Sequence, residues 1–239
     1  MTAVDCARIR RMQLLHRPFC PQSRYLRLVL AERGLEPELA EERPWERRAD
    51  FLRLNPEGTT PVLVVAETLA IPGAEIACSW LDETAAGTPS RPLMPEGPVE
   101  RVEVRRLVRW FNRKFFEEVS GPLVDEKIDK RFKGPAHGGG GPDTAAMRAA
   151  RANVRYHLAY IGWLAARNHW LAGPEMSYAD LAAAAHLSVV DYLGEVKWTD
   201  EATAREWYAR VKSRPSFRTL LADRVAGMPP SATYADLDF

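Results

Sequence analysis

One cysteine stands where a thiol could act as a nucleophile. Cys20 lies in the run RPFCP at 17–21, directly before a predicted helix at 22–32. At the start of a helix, free backbone N–H groups and the helix dipole stabilise a thiolate, which is the reactive form of cysteine. Cys20 is therefore the best catalytic candidate in the chain. The alternative is an unreactive, half-buried thiol.

Other residue types that carry chemistry lack the spacing that their chemistry needs. The five histidines and three cysteines show no metal-ligand pattern. The glycine run at 138–141 is not preceded by a strand and lacks the lysine of a phosphate-binding loop. No Ser-His-Asp motif stands out. We therefore expect no metal site.

Two surface segments are candidates for binding a protein partner. Trp45 is followed by Arg47 and Arg48, with Arg53 close behind, and an exposed aromatic and basic group of this kind suits a contact patch. The alternative is that Trp45 covers the core of its own domain. The second candidate is the C-terminal tail, which alternates large apolar residues with acids: Tyr234, Ala235, Asp236, Leu237, Asp238 and Phe239. Its alternative is that Leu237 and Phe239 pack back onto the chain.

The hydrophobic pattern predicts two regions with different architecture. Strands and helices alternate first, and helices alone follow a stretch rich in proline and glycine, which indicates a linker. The predicted regions are an α/β domain at 1–88 with an N-terminal extension at 1–10, a linker at 89–97, an all-helical domain at 98–225 and a tail at 226–239. The predicted strands are 12–15, 35–40, 61–65 and 68–71, and the predicted helices are 22–32, 45–52, 74–84, 99–119, 144–166, 178–193, 201–213 and 217–222.

Composition excludes several classes of function. The chain has 239 residues, of which 46% are hydrophobic, and its formal net charge is +1. This charge balance argues against a nucleic-acid partner bound through bulk electrostatics. No apolar run approaches a membrane span, and the N-terminus has no secretory pattern. With its few, scattered cysteines, the chain is expected to be cytoplasmic.

Four motifs in order and at family spacing make the chain resemble the cytosolic glutathione S-transferases over about residues 10–225. They are LHRPFCPQSR at 15–24, NPEGTTPVL at 55–63, SYAD at 177–180 and SRPSF at 213–217. The resemblance implies a thioredoxin-like α/β domain followed by an all-α domain. It also implies that Pro61 is cis and that Ser177 and Asp180 have a structural role at a helix start.

The chain departs from this family where glutathione is held. The family places an acidic residue and a serine after the fourth strand, and Gly73 and Ala74 take those positions here. Glu75 comes one residue late and on a helix points about 100° away. The resemblance therefore implies a vestigial ligand site formed by Cys20, Thr60, Pro61, Gly73 and Ala74. We expect weak or absent glutathione binding, no other cofactor and no transferase activity.

A narrower resemblance concerns a non-catalytic, transferase-like branch of alphaproteobacterial cell-division proteins. It rests on the run ADLAAAAHLSVVDYLG at 179–194, the tail and the altered ligand motif. It implies a homodimer that binds polymers of the tubulin-like protein FtsZ, is recruited to the division site and supports constriction. Deleting residues 231–239 is then expected to abolish binding and leave the fold intact. The alternatives are a glutathione-dependent thiol transferase or reductase that uses Cys20, and an adaptor for another protein.

Overall fold

The computed structural model describes residues 12–87 and 91–236 of the chain. Its contacts divide the chain into two compact units, with the boundary between Arg91 and Pro92. That boundary falls within the linker predicted at 89–97. The predicted N-terminal extension at 1–10 lies outside the described residues. In the part of the chain that the structure describes, every helix is too short or too polar to span a bilayer.

The first unit is a mixed four-stranded sheet with the strand order β2-β1-β3-β4. β1 pairs in parallel with β2 and antiparallel with β3, which pairs antiparallel with β4. Leu15, Phe51 and Val62 form a buried cluster in this unit. The elements are β1 (Met12–His16), α1 (Pro21–Glu32), β2 (Glu38–Glu41), α2 (Ala49–Leu54), β3 (Val62–Val65), β4 (Leu69–Pro72) and α3 (Ala74–Glu83).

The helix predicted at 45–52 is instead two shorter elements. A single 3₁₀ turn covers Pro44–Glu46, and α2 begins at Ala49. Arg47 separates them because its φ of 47° is left-handed, which ends a right-handed helix. The strand predicted at 35–40 begins later, at Glu38.

The regular elements of the second unit are helical in the residues that the structure describes, apart from one isolated β-bridge between Val225 and Met228. Its longest element runs through three segments without a break in the right-handed backbone, where one helix was predicted to end at 119. These segments are α4 (Pro98–Arg109), a π-helical segment (Trp110–Ser120) and α5 (Gly121–Lys127). The others are α6 (Thr144–Asn168), α7 (Tyr178–Tyr192), α8 (Ala202–Lys212), α9 (Arg218–Leu221) and α10 (Ala232–Ala235).

α7 is the centre of this unit, because all of its residues are buried. His186, which faces the π-helical segment, lies 2.8 Å through Nδ1 from Ser120 Oγ and 3.1 Å through Nε2 from Asn112 Oδ1. Phe115 and Phe116 present their rings edge-on to it. Burial lowers the pKa of His186 to about 3. The imidazole is therefore neutral in the folded protein at physiological pH.

His186 should make the stability of the second unit depend on pH. An unfolded chain protonates this histidine below about pH 6.5, whereas the folded chain stays neutral to about pH 3, so stability rises with pH between these values. From pH 7 to pH 5 we expect this group to lower the free energy of unfolding by about 2 kcal/mol. Urea unfolding of the protein and of His186→Gln across this range measures the effect. Equal pH slopes for the two proteins would contradict it.

Candidate functional site

Cys20 lies at the start of α1, where its sequence position predicted it. It is the N-cap residue, and only 5% of its surface is exposed. Its Sγ lies 3.6 Å from the carbonyl oxygen of Thr60 and 3.5 Å from Gln22 Oε1. Both oxygens are hydrogen-bond acceptors for Sγ, and the burial limits access to it. This geometry favours the unreactive thiol over the nucleophile.

The buried side chain of Arg24 holds the loop that precedes Cys20. The buried Arg24 side chain donates from Nε to the carbonyl oxygen of Pro18 at 2.7 Å. Its guanidinium also lies 4.4 Å from the centre of the Phe19 ring. The predicted cis bond before Pro61 is confirmed, and Thr60 is buried beside it. The residues around the Cys20 thiol are therefore a packed structural feature.

Gly73 and Ala74 begin α3 and offer no side-chain hydrogen-bonding group. Gly73 is the N-cap residue with φ at 82°, and its N–H donates to the carbonyl oxygen of Pro61 at 2.9 Å. A Cβ added at Gly73 would have no neighbour within 4 Å, so nothing fills the place of a longer side chain. Ala74 is buried. An ammonium or carboxylate group of a ligand would therefore meet no polar side chain of Gly73 or Ala74.

The predicted contact patch around Trp45 is partly exposed. The Trp45 ring is half-buried and receives the Arg17 guanidinium 5.3 Å from its centre. Arg47 is exposed, and within the described part of the chain its guanidinium makes no hydrogen bond or ion pair. Trp45 and Arg47 therefore offer an aromatic surface and a positive charge to a partner.

Arg48 forms an ion pair with Glu42 that was not predicted from the sequence. Its guanidinium pairs with Glu42, whose carboxylate is almost fully buried, at 2.7 Å from Nη2 to Oε2 and 3.3 Å from Nε to Oε1. The hydrogen bond to Glu42 raises the pKa of Arg48. Because the positive charge is compensated, Arg48 contributes less to a partner-binding patch than Arg47. The signal in the sequence is an acid six residues upstream of Arg48.

The described part of the tail is docked on its own unit. Tyr234 has 0% of its surface exposed, and its hydroxyl donates to the carbonyl oxygen of Leu220 at 2.7 Å. Its ring meets that of Tyr192 edge-on at 5.1 Å. The prediction that Tyr234 is a surface contact was wrong, because an aromatic ring finds more apolar area inside the unit than outside. Asp236 remains exposed. Leu237, Asp238 and Phe239 lie outside the described residues.

Asp191 and Lys212 form a buried ion pair beneath this tail. Asp191 Oδ2 lies 3.7 Å from Lys212 Nζ, and both side chains are almost fully buried. Burial raises the pKa of the Asp191 carboxyl and lowers that of the Lys212 ammonium. Sequence reasoning missed both residues. In the sequence, each of them is a charged residue at a position on a helix face that is otherwise apolar.

Ser177 and Asp180 form a capping box at the start of α7. The Ser177 hydroxyl accepts from the N–H of Ala179, and Asp180 Oδ2 accepts from the N–H of Ser177 at 2.9 Å. Asp180 Oδ1 also accepts from the N–H of Leu171 and from Trp207 Nε1, each at 2.9 Å. Burial raises the pKa of Asp180. This carboxylate is thus a structural joint between α7, α8 and the preceding loop.

Among the described residues, titratable groups elsewhere do not assemble into a metal centre. Within residues 12–87 and 91–236, no group of three or more His, Cys, Asp or Glu side chains is arranged to hold a metal ion. The candidates therefore remain the surroundings of Cys20, the patch around Trp45 and the C-terminal end of the chain.

Comparison with known proteins agrees with the fold of each unit. Residues 19–84 match the family model of the glutathione S-transferase N-terminal domain, and residues 126–215 match that of the C-terminal domain. FtsZ-localized protein A of Caulobacter vibrioides is 46% identical over 95% of this chain and 97% of its own length.

Solved structures give the same result over nearly the whole chain. A crystal structure of a glutathione S-transferase from Sinorhizobium meliloti has a TM-score of 0.91 at 50% identity, covering 96% of this chain and all of that one. The structure of FzlA from C. crescentus has a TM-score of 0.86 at 44% identity, with the same coverage. The two matched family models and this extent of identity place the chain in the glutathione S-transferase family.

Proposed function

We propose that this chain is a non-catalytic member of its family that binds FtsZ filaments at the division site and supports constriction. The observation that carries the proposal is the 46% identity, over nearly the full length of both proteins, with FtsZ-localized protein A. The burial of Cys20 and the absence of a polar side chain at Gly73 and Ala74 support a role without transferase chemistry. The alternative, a thiol transferase that uses Cys20, needs a thiol that substrate can reach.

We further propose that the chain acts as a homodimer through one face of the second unit. This face carries large exposed apolar side chains, and Arg106 Nη2 links its two helices by donating to the Tyr160 hydroxyl at 2.8 Å. Large exposed apolar side chains that share one face are typical of an interaction site. A dimer presents each weak filament contact twice, which raises its avidity for a repeating polymer. The exposed residues are Val99 and Val102 on α4, and Tyr156 and Trp163 on α6.

The end of the chain is the first filament contact that we propose. We expect removal of residues 237–239 to weaken co-sedimentation with GTP-assembled FtsZ polymers about tenfold or more, because aromatic and acidic anchors at an interface carry much of its affinity. The truncation leaves Tyr234 and its contacts in place, so thermal unfolding and the mass in solution should not change. Undiminished co-sedimentation of the truncated protein would contradict this role.

The patch around Trp45 is the second contact that we propose, and the same assay separates it from the first. Trp45→Ala removes the aromatic surface, and Arg47→Glu reverses the unpaired charge, so each variant should bind FtsZ polymers more weakly. Arg113→Glu is the matched control, since Arg113 is also exposed but lies outside the patch and pairs with Glu117. Equal effects of Arg47→Glu and Arg113→Glu would show a general charge effect and not a defined contact.

The altered ligand site predicts a measurable defect in glutathione binding. We expect isothermal titration to give a dissociation constant weaker than about 1 mM, because polar ligand groups left without partners lose affinity strongly. The double variant Gly73→Glu, Ala74→Ser supplies an acceptor and a hydroxyl, and it should tighten binding about tenfold.

The control for this titration is Gly73→Ala, which imposes the same backbone strain at a φ of 82° without adding a carboxylate. It should bind no better than the natural protein. A micromolar dissociation constant for the natural protein would contradict the proposed loss of the ligand and favour the enzymatic alternative.

A further inference from the structure

The segment that carries Trp45 is closed at its base by the contacts of Glu42. The Glu42 N–H donates to the carbonyl oxygen of His16 at 2.9 Å, which attaches this residue to the end of β1. Its buried carboxylate accepts two hydrogen bonds from the guanidinium of Arg48, the residue that caps the start of α2. Residues 43–47, which we define as the Trp45 loop, are therefore held at both ends.

Within the stretch 41–53, all of which the structure describes, Arg47 is the one arginine that has no acidic partner. The stretch contains four arginines and four acids. Arg47 is exposed, and its guanidinium makes no hydrogen bond or ion pair with any residue in the described part of the chain. The other arginines occupy all four acids: the pairs are Arg43 with Glu41 and Glu46, Arg48 with Glu42, and Arg53 with Asp50. The charge of Arg47 is therefore available to an anionic group of another molecule.

The backbone conformation of Arg47 is unfavourable for a residue that has a Cβ. Its φ of 47° and ψ of 43° are left-handed, a conformation that glycine adopts freely and that crowds the Cβ of other residues. Its guanidinium lies beside Gly58, where an added Cβ would be 3.8 Å from Arg47 Nη1, so no side chain of residue 58 covers it. Strained residues of this kind cluster at active sites and ligand clamps. Arg47 therefore suits a role in binding better than a role in stability.

The side chains of the Trp45 loop indicate the chemistry of its partner. A guanidinium pairs with a carboxylate through two parallel hydrogen bonds, a geometry that an ammonium does not offer. The Trp45 ring, two residues away, is only half-buried, so part of its apolar area remains for an apolar side chain to cover. A segment that carries a carboxylate next to an apolar residue would satisfy both groups. Because the loop is already held by Glu42 and Arg48, binding does not have to order it, which favours affinity.

We propose that the Trp45 loop binds an acidic segment of a partner protein, in which a carboxylate pairs with Arg47 and a neighbouring apolar side chain covers Trp45. This inference rests on the proposed function only for the identity of the partner, the FtsZ filament. It adds to that function the chemistry that the loop recognises and a reason for the strained arginine.

The first test uses peptides and needs no filament. The probe is the blocked pentapeptide Glu-Glu-Leu-Glu-Glu, with Gln-Gln-Leu-Gln-Gln as its uncharged match. The readout is the NMR signal of the Trp45 indole N–H, identified by its loss in Trp45→Phe. We expect the acidic peptide to shift this signal and to bind about tenfold more tightly than the uncharged one, because charge-assisted hydrogen bonds are stronger than neutral ones. Arg47→Gln should abolish that difference, and Arg113→Gln, which removes a charge outside the loop, should keep it.

The second test separates binding from stability at Arg47. Arg47→Gly relieves the left-handed strain, so this variant should unfold at a temperature equal to or higher than that of the natural protein. Its affinity for FtsZ polymers should nevertheless fall about tenfold, which a purely structural arginine would not cause. Because salt screens exposed ion pairs, the loss should be larger at low than at high ionic strength. Arg47→Lys keeps the charge without the paired donors, so its affinity should lie between those of the two proteins.

The outcomes distinguish the inference from the proposed function. If the natural protein binds FtsZ polymers but the two peptides shift the Trp45 signal equally, or neither shifts it, the acidic recognition is overturned and the proposed function stands. Full affinity of Arg47→Gly for the polymers would also overturn it, since the guanidinium would then have no part in binding. If the acidic peptide binds as expected and the natural protein does not bind FtsZ polymers, the inference stands and the proposed function is overturned. Failure of both binding reactions overturns both.

Discussion

Replacing Asp180 with alanine should lower the free energy of unfolding of the second unit by about 4 kcal/mol, since each buried donor left unpaired costs about 1–3 kcal/mol. The carboxylate accepts from the N–H groups of Leu171 and Ser177 and from Trp207 Nε1, and it is fully buried. Alanine strands all three donors, removes the hydrogen bond that the Ser177 hydroxyl donates to Oδ2 at 3.1 Å, and removes half of the capping box. The midpoint of urea unfolding, followed by far-UV circular dichroism, measures this loss.

Two milder variants identify the cause of that loss. Ser177→Ala removes only the hydroxyl half of the cap and should cost about 1 kcal/mol. Asp180→Asn keeps one carbonyl acceptor, although its NH₂ group faces donors, so its cost should lie between those of the other two variants. If Asp180→Ala cost no more than Ser177→Ala, the joint between α7, α8 and the preceding loop would have little energetic importance.

The sequence predicts the fold well where a local signal coincides with a global pattern. The strands of the first sheet and the long helices follow from apolar runs and end signals, and the cis bond at Pro61 follows from the resemblance to the glutathione S-transferases. Arg47 is an exception, because its left-handed backbone interrupts a predicted helix at a position that has neither glycine nor asparagine, the residues that usually indicate this conformation. No pattern of period 3.6 or 2 carries that information.

The candidate site was predictable only in part, because partner-binding residues need exposure and exposure is a tertiary property. Arg47 and Arg48 are neighbours in the sequence, yet one is unpaired and the other is bound to a buried glutamate. Tyr234 and Asp236 are separated by one residue, yet one is buried and the other exposed. By residue type, each of these four residues suits an interface equally well. Only the packing of the folded chain distinguishes the exposed, unpaired residues from those that are buried or paired.

Tyr234→Ala should destabilise the second unit by about 3–4 kcal/mol, which is typical of removing a fully buried aromatic ring. The ring packs edge-on against Tyr192, and its hydroxyl donates to the carbonyl of Leu220. The variant would leave a cavity where residues 225–236 meet α9, and the Leu220 carbonyl would keep only the hydrogen bond from the Asp223 N–H. Urea unfolding gives the energy, and the variant with residues 237–239 removed is the control that keeps the ring.

This prediction changes how the tail must be tested. A deletion that starts at Ser231 removes Tyr234 together with Thr233, which donates to Asp191 Oδ1, so we expect it to damage the second unit. Loss of FtsZ binding in that deletion would then report unfolding and not a lost contact. Tyr234→Phe, which loses only the hydroxyl, should cost about 1 kcal/mol. If the deletion from Ser231 unfolded at the same urea concentration as the natural protein, the anchoring role of Tyr234 would be wrong.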